Sequence, residues 1–124
     1  MNKKPPINLD LATLTFPPMA IASILHRITG IILFILMPIM LYFWDKSLRS
    51  EDSYSALIHL FTIPYIKLVL WAFASALGYH MLAGIRHMMM DLGIDEGLDA
   101  GRRSAILIIA SAIFVTIFLG VVIW

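Results

Sequence analysis

The sequence contains no cysteine, which excludes disulfides, thiolate metal sites and thiol catalysis. Charge is scarce too: Asp, Glu, Lys and Arg make up 14% of the chain, against about 25% in an average soluble domain. The formal net charge is only +1, which argues against nucleic acid as a partner. There is no internal repeat, and 124 residues allow one domain at most. What fills the chain is apolar. Hydrophobic residues account for 60% of it, and the mean hydropathy is +0.90. A soluble protein this small could not hide so much apolar surface. A membrane protein can, because lipid is its solvent.

Three long apolar segments run from about Met19 to Trp44, from Ile58 to Ile85 with interruptions at Pro64 and Lys67, and from Ser104 to Trp124. A bilayer core about 30 Å thick needs roughly 20 helical residues to cross it. Backbone groups in lipid must be satisfied within the segment, so the spans read as helices and not strands. The expected architecture is an all-α membrane protein forming a single anchor domain over residues 1–124. It has an N-terminal surface segment, 1–18, and helices at about 19–44, 58–90 and 104–124. Polar connections lie at Asp45–Ser53 and Asp91–Arg103. A signal peptide is the weaker reading of the first segment, since Pro5, Pro6, Pro17 and Pro18 would break its apolar core. One membrane face collects Lys3, Lys4, Arg27, Arg86, Arg102 and Arg103, and the other only Lys46, Arg49 and Lys67. The positive-inside rule then predicts a cytoplasmic N-terminus.

Polar residues inside the spans carry the functional signal. Ser23, His26, Arg27 and Gly30 fall at i, i+3, i+4 and i+7, on one helical face. In the plainer reading, Arg27 and His26 snorkel to lipid phosphate. In the other, they form a polar pocket at the membrane boundary, where Ser23 offers a hydroxyl and Arg27 a forked cation. His80, Gly84, His87 and Asp91 form a second stripe. His80 lies six residues from Arg86, about 9 Å along the helix, a depth within hydrocarbon. An intramembrane histidine is by default a functional hypothesis, although bonding to a neighbouring helix would also account for it. Gly84 leaves a gap beside the imidazole against which a flat macrocycle could lie, and imidazole is a common axial ligand of haem iron. His59 reads as interfacial, and Met88 to Met90 as packing.

Two motifs then go further than spacing. "S-x-x-H-R-x-T" at Ser23–Thr29 and "H-x-x-x-G-I-R-H-M-x-M-D-x-G" at His80–Gly93 resemble the two signatures of the succinate dehydrogenase cytochrome b556 subunit family. "PINLDL" before the first helix is similar to that family's N-terminal segment. One departure is Pro5, where the family pattern has arginine. The resemblance implies a membrane-anchor subunit, not catalytic by itself, in a four-subunit succinate:quinone oxidoreductase. Its partners would be a flavoprotein, an iron–sulfur subunit and a second membrane anchor. Its cofactor would be haem b, shared with that second anchor, and its substrate ubiquinone. By position, the resemblance implies that His80 is an axial iron ligand. It implies that Ser23 and Arg27, with Ile24 as an apolar wall, bind the quinone. His26 and Arg27 would lie near the haem propionates or relay protons, and Asp91 would influence the quinone site indirectly.

On this view the polar mouth of the first helix has a reason. A quinone arrives through lipid, yet it must meet an iron–sulfur centre in a soluble subunit, and the membrane edge satisfies both needs. A six-coordinate haem also needs two ligands on opposite faces of the ring. His87 shares the stripe of His80, and His59 is roughly 31 Å away along the segment. His26 is expected at the level of Arg86, about two turns from His80. The second ligand is therefore expected from the other anchor. A fumarate reductase-type anchor, a small membrane transport subunit and an anchor without haem are the competing readings. A bacterial cytoplasmic membrane is the expected location, because no Arg/Ser-rich transit segment precedes the first helix.

Overall fold

A computed structural model describes residues 17–94 and 96–124. Most of the expected N-terminal surface segment, with Pro5 and "PINLDL", lies outside the described residues. The architecture is all-α, with helices α1 (Pro18–Arg49), α2 (Glu51–Leu60), α3 (Pro64–Asp91) and α4 (Leu98–Ile123). Three of them, α1, α3 and α4, are long and apolar enough to cross a membrane.

Local chemistry sets the ends. Pro18 opens α1 at its first helical position, where the missing N–H is no loss. At its other end α1 continues past Trp44, and Arg49 reaches back one turn to Asp45 with an Nη2–Oδ2 distance of 2.6 Å. The expected polar connection is therefore largely helical. It is broken at Ser50, whose extended backbone and side-chain oxygen cap α2 by accepting from Ser53 N at 3.0 Å. Glu51 and Asp52 in the first turn of α2 complement the positive end of its dipole.

The second expected helix, 58–90, is two elements. α2 ends at Leu60, Ile63 is extended, and Pro64 starts α3. Proline disfavours the helical conformation in the residue before it, so Pro64 is a boundary and not an interruption. His59 sits in the last turn of α2. At the other end of α3, Gly93 has φ +80°. Its N–H reaches Met90 O at 3.0 Å, and Ile94 N–H reaches Met89 O at 2.9 Å. This paired closure needs a left-handed residue, which glycine adopts without strain. The third expected helix begins earlier than 104, at Leu98, with Gly97 as its N-cap.

α3 packs against both α1 and α4, and α2 packs on α1. The core is made of small residues, Ala22, Ala83, Ala105 and Ala112, around Tyr79 and Ile108. Lipid supplies no hydrophobic force between helices, so close backbone approach and polar contacts must hold them. The Tyr79 hydroxyl donates to the Ala22 carbonyl at 2.7 Å, and Trp71 Nε1 donates to the Thr116 carbonyl at 2.8 Å. Large side chains such as Phe34 and Phe114 point away from the bundle, as suits residues solvated by lipid.

Candidate functional site

Because α1 and α3 run antiparallel, the start of one meets the end of the other. A cleft of about 200 Å³ opens there, lined by Ala22, Ser23, His26 and Arg27 of α1 and by Ala83, Arg86 and His87 of α3. The two polar stripes thus face one volume. Ala22 and Ala83 are buried at its base, and their small side chains leave the space that the longer residues border. Ser23 and Arg27 are exposed and make no side-chain hydrogen bond among the described residues. Arg86 is held from behind: its Nε donates to Ser104 Oγ at 2.9 Å and its Nη2 to the Gly101 carbonyl at 3.1 Å. Ile24 is exposed beside Ser23 but does not line the cleft. Asp91 does not line it either; its carboxylate lies 3.5 Å from His87 Nε2, a pair largely open on the surface.

His80 sits farther into the bundle, against α1. Its Nδ1 lies 3.1 Å from Thr29 Oγ1 and 3.2 Å from the His26 carbonyl oxygen. A carbonyl can only accept, so Nδ1 carries the proton. Thr29 also has its own hydroxyl within 2.8 Å of the Leu25 carbonyl and 3.0 Å of the His26 carbonyl. That hydroxyl donates along its own helix and turns a lone pair to His80. Nε2 is left with a free lone pair and no hydrogen-bond partner among the described residues. A metal-binding histidine is set up in this way, with one nitrogen donating to an oxygen and the other free to ligate. The imidazole lies against α1 at Gly30, where an added Cβ would come within 3.2 Å of His80 Cε1.

His26 departs from expectation. Its ring stacks on that of His80, with centroids 4.2 Å apart and planes 25° from parallel. The register of the antiparallel pair brings Gly30 against His80 and Gly84 against His26. His26 is thus one turn from His80 along the bundle rather than two, and its side chain spans the remainder. The contact does not make it the opposite axial ligand, since two rings stacked this closely cannot hold a macrocycle between their nitrogens. Among the described residues no three metal-ligating side chains converge.

Residues 1–119 match the succinate dehydrogenase/fumarate reductase transmembrane subunit family. The chain belongs to this family. It is 44% identical to the succinate dehydrogenase cytochrome b556 subunit of Coxiella burnetii, over the full length of both chains. It is 31% identical to that of Rickettsia prowazekii, over 80% of this chain and 77% of the relative. With the subunit of Paracoccus denitrificans it shares 25% identity over 90% and 86% of the two chains. As a transmembrane subunit with three membrane-length helices and bacterial relatives, the chain is a multi-pass protein of the bacterial inner membrane. Membership of a redox family also decides against the transport reading.

Three residues of this transmembrane subunit were not singled out by sequence reasoning. Thr29 stood inside the first motif, but its bond to His80 spans two helices and has no local signature. Arg86 stood in the second motif and marked the depth of His80, but its partner Ser104 lies on another helix and has no local signature. Tyr79 was hidden in an apolar run; a buried tyrosine needs a partner for its hydroxyl, which is the signal that could have found it.

Proposed function

We propose that this chain is the haem- and quinone-binding anchor of a succinate dehydrogenase, not catalytic by itself. It works with a second membrane anchor, an iron–sulfur subunit and a flavoprotein. The observation that carries the reading is His80, whose Nδ1 lies 3.2 Å from the His26 carbonyl oxygen and whose Nε2 has no hydrogen-bond partner among the described residues, one turn above a basic cleft. Its residues fit a b-type haem: Nε2 would offer a ligand to the iron, and cations at the cleft suit propionates; the gap expected at Gly84 is taken by the His26 ring, 3.8 Å from where a Cβ would stand. When bound, the haem supplies a one-electron centre near the quinone. His80 would hold the iron from this chain, and any further protein ligand would be supplied by the other anchor.

Each polar residue then has a task. Ser23 donates a hydrogen bond to a carbonyl of ubiquinone. Arg27 stabilises the negative charge that develops on a quinone oxygen as electrons arrive, as a preorganised oxyanion donor does. Ile24, exposed beside Ser23 and outside the cleft, gives an apolar surface to the part of the quinone that extends past the cleft's edge. His26 holds a propionate or relays a proton, since imidazole titrates near neutral pH. Asp91 acts at a distance through His87. The N-terminus faces the cytoplasm, which puts the cleft on the side where the iron–sulfur subunit docks. The family also includes fumarate reductases; the names of the relatives favour succinate oxidation.

In the intact complex, Ser23→Ala and Arg27→Leu should each lower succinate-to-ubiquinone electron transfer by about tenfold or more, the cost of losing a positioned charge-stabilising donor. Succinate oxidation by a soluble dye that accepts electrons upstream should persist. Arg27→Lys should rescue only partly, because a point charge does not reproduce the guanidinium fork. Equal loss in both assays would assign these residues to assembly instead.

A further inference from the structure

Building on the assignment of His80 as an axial ligand, we infer that Thr29 is a positioning residue that fixes the tautomer of His80 and tunes the reduction potential of the haem. The argument is one of proton geometry. Both groups facing His80 Nδ1, Thr29 Oγ1 at 3.1 Å and the His26 carbonyl at 3.2 Å, act as acceptors. The carbonyl has no proton to give. Thr29 has one, and the Leu25 carbonyl, at 2.8 Å, is its shortest acceptor. With that proton turned to its own helix, Thr29 joins the His26 carbonyl as an acceptor and both favour the tautomer with the proton on Nδ1; the one with its proton on Nε2 could not ligate iron.

Position follows from the same contacts. Thr29 holds the imidazole along one edge while Gly30 admits the ring to within contact of α1. The threonine is thereby the side-chain half of a two-acceptor clamp whose other half is backbone. An acceptor on Nδ1–H shifts electron density into the ring and makes Nε2 the stronger donor. A stronger donor favours ferric over ferrous iron, so the clamp lowers the haem potential through the hydrogen bond at Nδ1.

The test uses the intact complex and four chains: wild type, Thr29→Val, Thr29→Ser and His80→Leu. Valine keeps the branched shape of threonine and removes the oxygen; serine keeps the oxygen. The expected result is a higher haem midpoint potential and shifted g-values in the oxidised Thr29→Val complex, both returning towards wild type in Thr29→Ser. Loss of haem from an otherwise assembled Thr29→Val complex, with retention in Thr29→Ser, also supports the role. Unchanged potential and g-values in Thr29→Val at full haem content would overturn it, and so would failure of the complex to assemble, which would mark Thr29 as a packing residue. His80→Leu separates the two levels of the argument. A flat Thr29 series beside an altered His80→Leu spectrum defeats only this inference; an unaltered His80→Leu spectrum defeats the ligand assignment beneath it.

Discussion

His80 is positioned almost entirely by residues of another helix, and that explains which parts of its environment could be read in advance. Its depth followed from counting residues outward from Arg86. The shared face of Ser23, His26 and Arg27 followed from helical spacing. The stacking of His26 on His80 did not, because sequence gives the angular position of a residue on its own helix but not the axial offset between two helices. Thr29 escaped for the same reason. Gly30 shows how narrow the fit is: a Cβ there would stand 3.2 Å from His80 Cε1, whereas a Cβ at Gly78 would stand 3.5 Å from Val115, an ordinary contact. Gly30→Ala should therefore weaken haem retention by about tenfold, the lower end of what disturbing an outer-shell contact costs, while Gly78→Ala leaves it unchanged. Haem content after competition with a soluble haem acceptor measures both. Equal retention in the two variants would mean that the close approach at Gly30 does not position the ligand.

At the scale of elements, the three spans were readable because hydropathy alone demands them. Their ends were less so. Asp45–Ser53 looked like a connection since it is polar, yet Arg49 and Asp45 pair within α1 and Ser50 caps α2. The long apolar run around Pro64 hid a helix boundary, because hydropathy does not register the backbone restriction that proline imposes. The register of α1 on α3 is fixed in part by the bond from Tyr79 to the Ala22 carbonyl. Tyr79→Phe should lower the unfolding free energy of the complex in detergent by about 0.6–1.5 kcal/mol, the range for such bonds, with the haem spectrum retained. Ala105, 0% exposed where α4 meets the core, tolerates less: Ala105→Leu should cost about 1–3 kcal/mol by overpacking. Denaturation midpoints measure both. A Tyr79→Phe complex as stable as wild type would show that other contacts set the register.

The whole molecule is a three-span bundle with a site on its flank. Ser23 and Arg27 are exposed beside an open cleft, and His80 presents one free nitrogen. Among the described residues, nothing closes over the cleft from the other side. In the proposed function, a second anchor provides that wall and the remaining ligand. The two motifs at Ser23–Thr29 and His80–Gly93 were enough to point to the family to which the chain belongs. The cleft and the tautomer needed the packing of α1 on α3. The central claim is that His80 binds haem iron. It is tested most directly by the low-temperature EPR and reduced-minus-oxidised optical spectra of the intact complex carrying His80→Leu, with His59→Leu as control. The account predicts that the low-spin signal weakens, shifts or gives way to high-spin haem in His80→Leu and stays as in wild type in His59→Leu. An unchanged low-spin spectrum in His80→Leu would contradict it.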